Sequence, residues 1–387
     1  MTTSIDRPQA RAALLIGFCA GMVDLVALAV WVGTLIGQDH FSPRDAGALV
    51  TLFLSGIVLA SVMLAPRLQR IRVRIAATLG FALSAAGFAA GSQGGSFGAL
   101  AAMHLLCGMA TGAALSAVLG TIARSARPHR LFAYANAALG VFAIAFLAVV
   151  PHLVASFGSR GLFDVLAAIM TIAALSSAVA FPSPAPAATR TPSAGAPRIP
   201  RGIFYGVIGI ASMSLVQAMA FSFLQRVGID HGFRSSSVAG VLIALGMVNL
   251  LPAPLAALLE SRLPARRVVL CGPIAQAFLV AVMMNSRQFA AYAIAASLLT
   301  SVIVFTETFA FGWLARLEPT GRVLAAMPAM MMTGSAVGPF LGGTLVQSHG
   351  YHSLAPVAAA VAAMAVLCFS RLPVHGAAVS HQPEFAA

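Results

Sequence analysis

Charge is what this sequence has least of. Only 9% of its 387 residues are Asp, Glu, Lys or Arg, against about 25% in soluble globular domains, so no water-facing surface can be built from it. Lysine is missing altogether: all 23 Lys-plus-Arg positions are arginine. A G-x-x-x-x-G-K-[ST] phosphate loop is therefore impossible, and energy from nucleotide hydrolysis on this chain is excluded. The four cysteines, Cys19, Cys107, Cys271 and Cys368, stand singly in separate apolar stretches. With no C-x-x-C pair and no Cys/His cluster, neither a disulfide framework nor a zinc site is expected. There is no H-E-x-x-H and no Ser/His pair on a strained glycine turn, so an enzyme is not expected, and no cofactor is implied. The net charge of +13 does not indicate nucleic acid, because no basic, aromatic-interleaved soluble patch carries it.

What remains is apolar: 59% of the residues are hydrophobic and the mean hydropathy is +0.93. Lipid is the solvent such a chain fits. Inside a bilayer every backbone N–H and C=O must be paired within the chain, so spans are helices or a closed barrel. The apolar runs are unbroken over about twenty residues, the length of a membrane helix. They lie at roughly 12–36, 46–65, 75–92, 97–123, 131–155 and 161–181, then 202–225, 236–259, 268–285, 289–314, 323–347 and 353–370. The first is too long for a signal-peptide core and reads as a retained span. Between the sixth and seventh runs, the Pro-, Ala- and Ser-rich stretch 182–201 reads as a flexible linker. The expected organisation is an all-α membrane protein with twelve transmembrane helices in two six-helix pseudo-repeats. Residues 1–181 form one bundle, 202–373 the other, and 374–387 a tail.

Topology follows from the arginines. With both termini cytoplasmic, 18 of the 23 fall on the cytoplasmic side and five on the other, the positive-inside bias. The halves also resemble each other: APRLQRIRVR after the second run matches LESRLPARR after the eighth, with Arg70 and Arg262 in equivalent places. A parallel repeat of six helices is a known transporter architecture, with the substrate site at the repeat interface.

The pattern resembles the major facilitator superfamily over essentially the whole chain. Two motifs carry the resemblance. The family's G-x-L-a-D-R-x-G-R-R loop is degenerate here, with Gln69 for its Asp and Arg72 for its second Gly, while Arg70 and Arg74 are kept. The G-x-x-x-G-P-x-x-G-G motif is intact as Gly334, Gly338, Pro339, Gly342 and Gly343. It stands in the eleventh run, whereas the family's antiporters carry it in the fifth. Small residues at that spacing let helices approach closely and proline bends them, so these positions are candidate conformational elements.

Ionisable groups inside a membrane are costly and by default functional. Asp24 lies near the middle of the first run beside Gly17, Ala20, Gly21 and Ala27, and Glu307 lies in the tenth run on a polar stripe with Ser297, Thr300, Ser301 and Thr308. The resemblance implies that the first, fourth, seventh and tenth helices line a central cavity. His104 and Thr111 are on the fourth, Gln217 on the seventh and Ser301 on the tenth. Asp24 and Glu307 are expected to couple protons, because desolvation can bring a carboxylic acid into a useful titration range. His104, Gln217, Thr111 and Ser301 are expected to contact substrate. Trp31 and Trp313, near run ends, are expected to anchor at the lipid interface. No arginine sits at mid-membrane depth, which disfavours strongly anionic substrates. The resemblance is strongest to the bacterial drug and metabolite:proton antiporter branch. It implies a multi-pass monomer of the cell inner membrane, surrounded by lipid. Such a protein exports hydrophobic, neutral or cationic small molecules against protons. The alternative is a proton-linked importer of a neutral solute such as a sugar or nucleoside.

Overall fold

The computed structural model describes residues 7–64, 71–125, 127–182, 201–317 and 327–373. Arg70, most of the expected linker and the tail from 374 lie outside the described residues. Every element within them is a helix. The first half contains α1 (Pro8–Gly21), α2 (Val23–Gly37), α3 (Pro43–Leu64), α4 (Val73–Gly91), α5 (Phe97–Ala123) and α6 (Pro128–Ala180). The second contains α7 (Arg201–Phe221), α8 (Leu224–Asp230), α9 (Ser235–Val248), α10 (Pro252–Leu259), α11 (Ala265–Asn285), α12 (Phe289–Leu317), α13 (Met327–His349) and α14 (Leu354–Ser370), with a 3-10 turn at Tyr351–Ser353.

Local chemistry starts these helices where the polar punctuation falls. Proline opens α1, α3, α6 and α10, where its missing N–H costs nothing. Ser42 and Asp45 form a capping box, the Asp45 N–H donating to Ser42 Oγ at 3.1 Å and Ser42 Oγ to the Asp45 carboxylate at 2.8 Å. Ser96 caps α5 through the Ala99 N–H at 3.3 Å. Within the apolar stretches, hydroxyls bond back four residues, as Thr34 to the Val30 carbonyl and Thr121 to the Ala117 carbonyl, both at 2.7 Å. No water is then needed to satisfy them.

Among the described residues, nine stretches are long and apolar enough to cross a membrane. The twelve expected runs are all accounted for. The 53-residue α6 would be about 80 Å long if straight, more than twice a hydrocarbon core of about 30 Å. Gly158, at φ 64° and ψ −152°, turns it back on itself, a backbone conformation that glycine tolerates. Its first arm runs from Phe132, against Phe18, to Gly158, near Gln38. Its second returns from Phe163, against Phe88, to Ala178, beside Arg74. The eighth run is divided into α9 and α10, and α13 is the eleventh.

The first and seventh runs are central, with 78% and 72% of their apolar stretches buried inside the protein; no other span exceeds 61%. Both are also broken, the first at Met22 and the seventh around Ser222–Phe223. In the first half, five helices converge on one aromatic cluster. Trp31 of α2 lies 5.1 Å from Phe53 of α3, 5.6 Å from Phe88 of α4 and 5.4 Å from His104 of α5, and Phe163 of α6 closes the group. Trp31 is completely buried and is therefore a core residue, not an interface anchor. Trp313 is also mostly buried, its indole N–H donating to the Pro373 carbonyl at 3.2 Å. Large side chains such as Leu83, Leu106, Val141, Leu175 and Phe278 point outward instead, as a lipid-facing surface requires.

Between the halves, α3 packs along α13, α6 against α9, and α2 against α8. Gly33 lies against Gln225, Gly37 against Arg226, and Pro43 and Gly47 against Gly343 and Pro339. The Phe340 N–H donates to Thr51 Oγ1 at 3.1 Å and the Arg44 guanidinium sits 5.7 Å from the Phe340 ring. The end of the bundle carrying the 38–42 loop is thus closed. Toward the other end, the described residues of α5 and α12 share no extended contact.

Candidate functional site

Among the described residues, each half buries one carboxyl: Asp24 on the first span, and Glu307 on α12 against the seventh. The break at Met22 (φ −107°, ψ 18°) makes Asp24 the second residue of α2. Its carboxyl stands at a helix start, where the dipole favours negative charge. Only 2% of Asp24 is exposed, and Oδ1 has no protein partner. Leu25 beside it is 40% exposed, unusual in so buried a stretch. Asp24 is thus one residue from an open surface.

Glu307 is 4% exposed on α12. Ser214 Oγ of α7 donates to its Oε1 at 3.1 Å. One residue away, the Met213 carbonyl accepts from Gln276 Nε2 of α11 at 2.8 Å. Sequence reasoning missed Gln276, which is 1% exposed; a glutamine inside the CGPIAQAFLV stretch was the available signal. Asp24, Glu307 and His104 are the Asp, Glu, His and Arg side chains that are buried among the described residues. No buried arginine opposes either acid, and an ionised carboxylate in that setting is costly unless a cation or proton matches it.

His104 and Thr111 sit deeper in the first bundle. The His104 Nδ1–H donates to the Leu100 carbonyl at 2.7 Å, leaving Nε2 as an acceptor without a partner. The indole N–H of neighbouring Trp31 has none either. Thr111 Oγ1 shares a 2.8 Å hydrogen bond with Ser84 Oγ in the seam between α4 and α5. Gln217, half-buried, lies one turn beyond Ser214 on α7. Ser301 turns away from Glu307 and lines a separate cleft among α10, α11 and α12. The structure therefore brings Glu307 together with the Ser214–Gln217 turn. It places Thr111 and Ser301 in other environments.

The conformational motifs separate in the same way. Arg74 donates to the Ala178 and Val179 carbonyls, pinning the start of α4 to the last turn of α6. Gly334, Gly338 and Gly342 form one stripe of α13 against the backbone of α7. Pro339 and Gly343 face the other way, against α3: a Cβ at Gly343 would run into the Pro43 carbonyl, and one at Gly47 into the Pro339 carbonyl. The motif thus packs α13 within its own half and against the other half at once.

A family model described as Major Facilitator Superfamily matches residues 13–284. The chain belongs to the Major Facilitator Superfamily. Solved structures agree on the fold. The nucleoside transporter NupG superposes with a TM-score of 0.71 at 15% identity, over 94% of this chain and 98% of that one. A bacterial homolog of the human lysosomal transporter Spinster, inward-facing and unoccupied, gives 0.73 at 14% identity, over 95% and 98%. Such low identities show the fold alone. No curated protein matches the sequence. Membership makes this chain a multi-pass membrane transporter for small molecules, with the all-helical architecture expected of it.

Proposed function

We propose that this superfamily member is a proton-coupled exporter of hydrophobic, neutral or cationic small molecules, working by alternating access. The carrying observation is the pair Asp24 and Glu307: one buried acid in each half, neither opposed by a buried arginine among the described residues. A carrier that must be charged when open to one side and neutral when occluded needs such groups. If the arginine-rich side is cytoplasmic, as the positive-inside bias suggests, the closed 38–42 end faces outward and the end where the described parts of α5 and α12 share no extended contact faces the cytoplasm. On that orientation the molecule is poised to take up cytoplasmic substrate. Ser214 and Gln217, on the turn beside Glu307, are the polar groups proposed to recognise it, with His104 of the first bundle as a further candidate. The absence of an opposing arginine favours cations and neutral molecules over anions.

The test is proton flux in energised inside-out vesicles loaded with a pH-sensitive dye. Lipophilic cations, antibiotics, sugars and nucleosides are added in turn. Alkalinisation on addition of a compound supports antiport and names the substrate class. Silence throughout, together with proton-driven accumulation of a nucleoside or sugar by whole cells, would replace export by import.

A further inference from the structure

The α10–α11–α12 corner holds two openings away from the acids. One, of 460 Å³, is apolar, walled by Leu255 of α10, Val268 of α11 and Leu298, Val302 and Phe305 of α12. The other, of 610 Å³, is lined by Ala256 and Glu260, by Arg262, and by Phe309, Gly312 and Arg316 of α12. Helical periodicity joins them. Residues 298, 302, 305, 309, 312 and 316 follow one stripe of α12, as 252, 256 and 260 follow one of α10. The two openings lie end to end along these stripes, with Ala256 and Phe309 packed at the junction, and together make a slot that is apolar toward mid-membrane and charged at the arginine-rich end.

The slot has a structural cause. The chain breaks after Val248 and restarts at Pro252, dividing the eighth run. In the first half the equivalent α3 is continuous and backed directly onto α5. A Cβ at Gly112 would lie 2.6 Å from the Ile57 carbonyl oxygen, and one at Gly108 would strike that of Phe53. On α12, by contrast, a Cβ at Gly312 would meet nothing within 4 Å. Glu307 points from the other side of α12 toward Ser214, so the slot is not the carboxyl site.

We infer that this slot binds one anionic phospholipid of the adjoining leaflet, its phosphate at Arg262 and Arg316 and an acyl chain along Phe305 and Leu298. From Leu298 to Arg316 the slot runs about 27 Å at 1.5 Å per residue, enough to span one leaflet with its headgroups, about 20 Å. At the mouth Arg316 is held 2.9 Å from Glu260, and among the described lining residues Arg262 adds a second guanidinium against that one carboxylate. The excess positive charge suits a phosphate, which arginine can bind bidentately, and basic pockets between helices hold acidic headgroups. A soluble anion would leave the apolar stretch unfilled, and a zwitterionic lipid would leave the charge unmatched. The inference concerns the lipid, and it stands whether the carrier exports or imports.

Trp313 lines the mouth, and the chain has two tryptophans. A Trp31→Phe variant therefore reports on the slot alone. It is reconstituted in phosphatidylcholine discs containing small amounts of chain-brominated phosphatidylglycerol or chain-brominated phosphatidylcholine. Quenching of Trp313 is expected to saturate at a mole fraction about tenfold lower for the phosphatidylglycerol, given the strength of arginine–acidic lipid attraction. Replacing Arg262 and Arg316 by Gln should erase the preference. Gly312→Phe should erase it with both arginines intact, by filling the mouth. Equal quenching by both lipids in proportion to mole fraction would overturn the inference, as would a preference that survives both variants. Native mass spectrometry of the unmutated chain from phosphatidylglycerol-containing discs gives an independent reading. One retained phosphatidylglycerol is expected; none retained would also overturn the assignment.

Discussion

Asp24 and Glu307 differ in how they are held, and the difference separates their expected phenotypes. Asp24 stands at a helix start and keeps one oxygen without a partner. Asparagine is nearly isosteric, keeps a carbonyl oxygen at the helix start and removes only the ability to ionise. Asp24→Asn should therefore insert and fold as the parent does and lose substrate-driven proton movement in the vesicle assay. Undiminished movement across the pH range would return Asp24 to a purely capping role. Glu307 is tied to Ser214 of α7, a bond that Gln can still accept. Glu307→Gln should leave the α7–α12 junction intact and change the pH dependence of transport or the choice among substrates, both measurable by uptake at stepped pH. A superimposable pH profile and substrate spectrum would make Glu307 a structural acceptor.

At the scale of helices, the two-faced packing of α13 sets the next expectation. Gly343 meets the Pro43 carbonyl of the opposite half, so a branched side chain there cannot be accommodated while the 38–42 end is closed. Overpacking costs about 1–3 kcal/mol, and about 1.4 kcal/mol is tenfold in a population. Gly343→Val should then cut transport by about tenfold with near-normal expression. Gly240→Val is the control, because a Cβ at Gly240 meets nothing within 4 Å; if both variants transport equally well, the α3–α13 contact does not gate. How much of this the sequence showed depends on the physics of each element. The runs were legible because lipid forces unbroken apolar helices, and the turn at Gly158 fell in the gap between two of them. Burial was not legible, because lipid and protein interior are equally apolar; Trp31 near a run end looks the same whether it faces headgroups or Phe53. The breaks at Met22 and Phe223 carry no proline and left no mark on the hydropathy. Ser301 was read onto the polar stripe of Glu307, but six residues along a helix put it on another face.

For the whole molecule, the decisive contact is the one between the broken central helices. Alternating access requires the closed 38–42 end to open, and there α2 meets α8 with Gly33 directly against Gln225. A Cβ built on Gly33 lies 3.7 Å from that of Gln225, within the 3.5–4.5 Å range that a disulfide needs. Cysteines at both positions, in a chain whose four native cysteines are replaced by serine, should therefore cross-link readily under mild oxidation. The bond would tie the first bundle to the second at the closed end while leaving the α5–α12 end free. Cross-linked protein should still bind substrate from the open end but lose transport, and a reductant should restore it. Substrate-dependent protection or acceleration of the cross-link would report how often the pair separates during the cycle. Full transport by the oxidised protein would mean that α2 and α8 stay together throughout, and the moving interface would then have to be sought along α6 and α9.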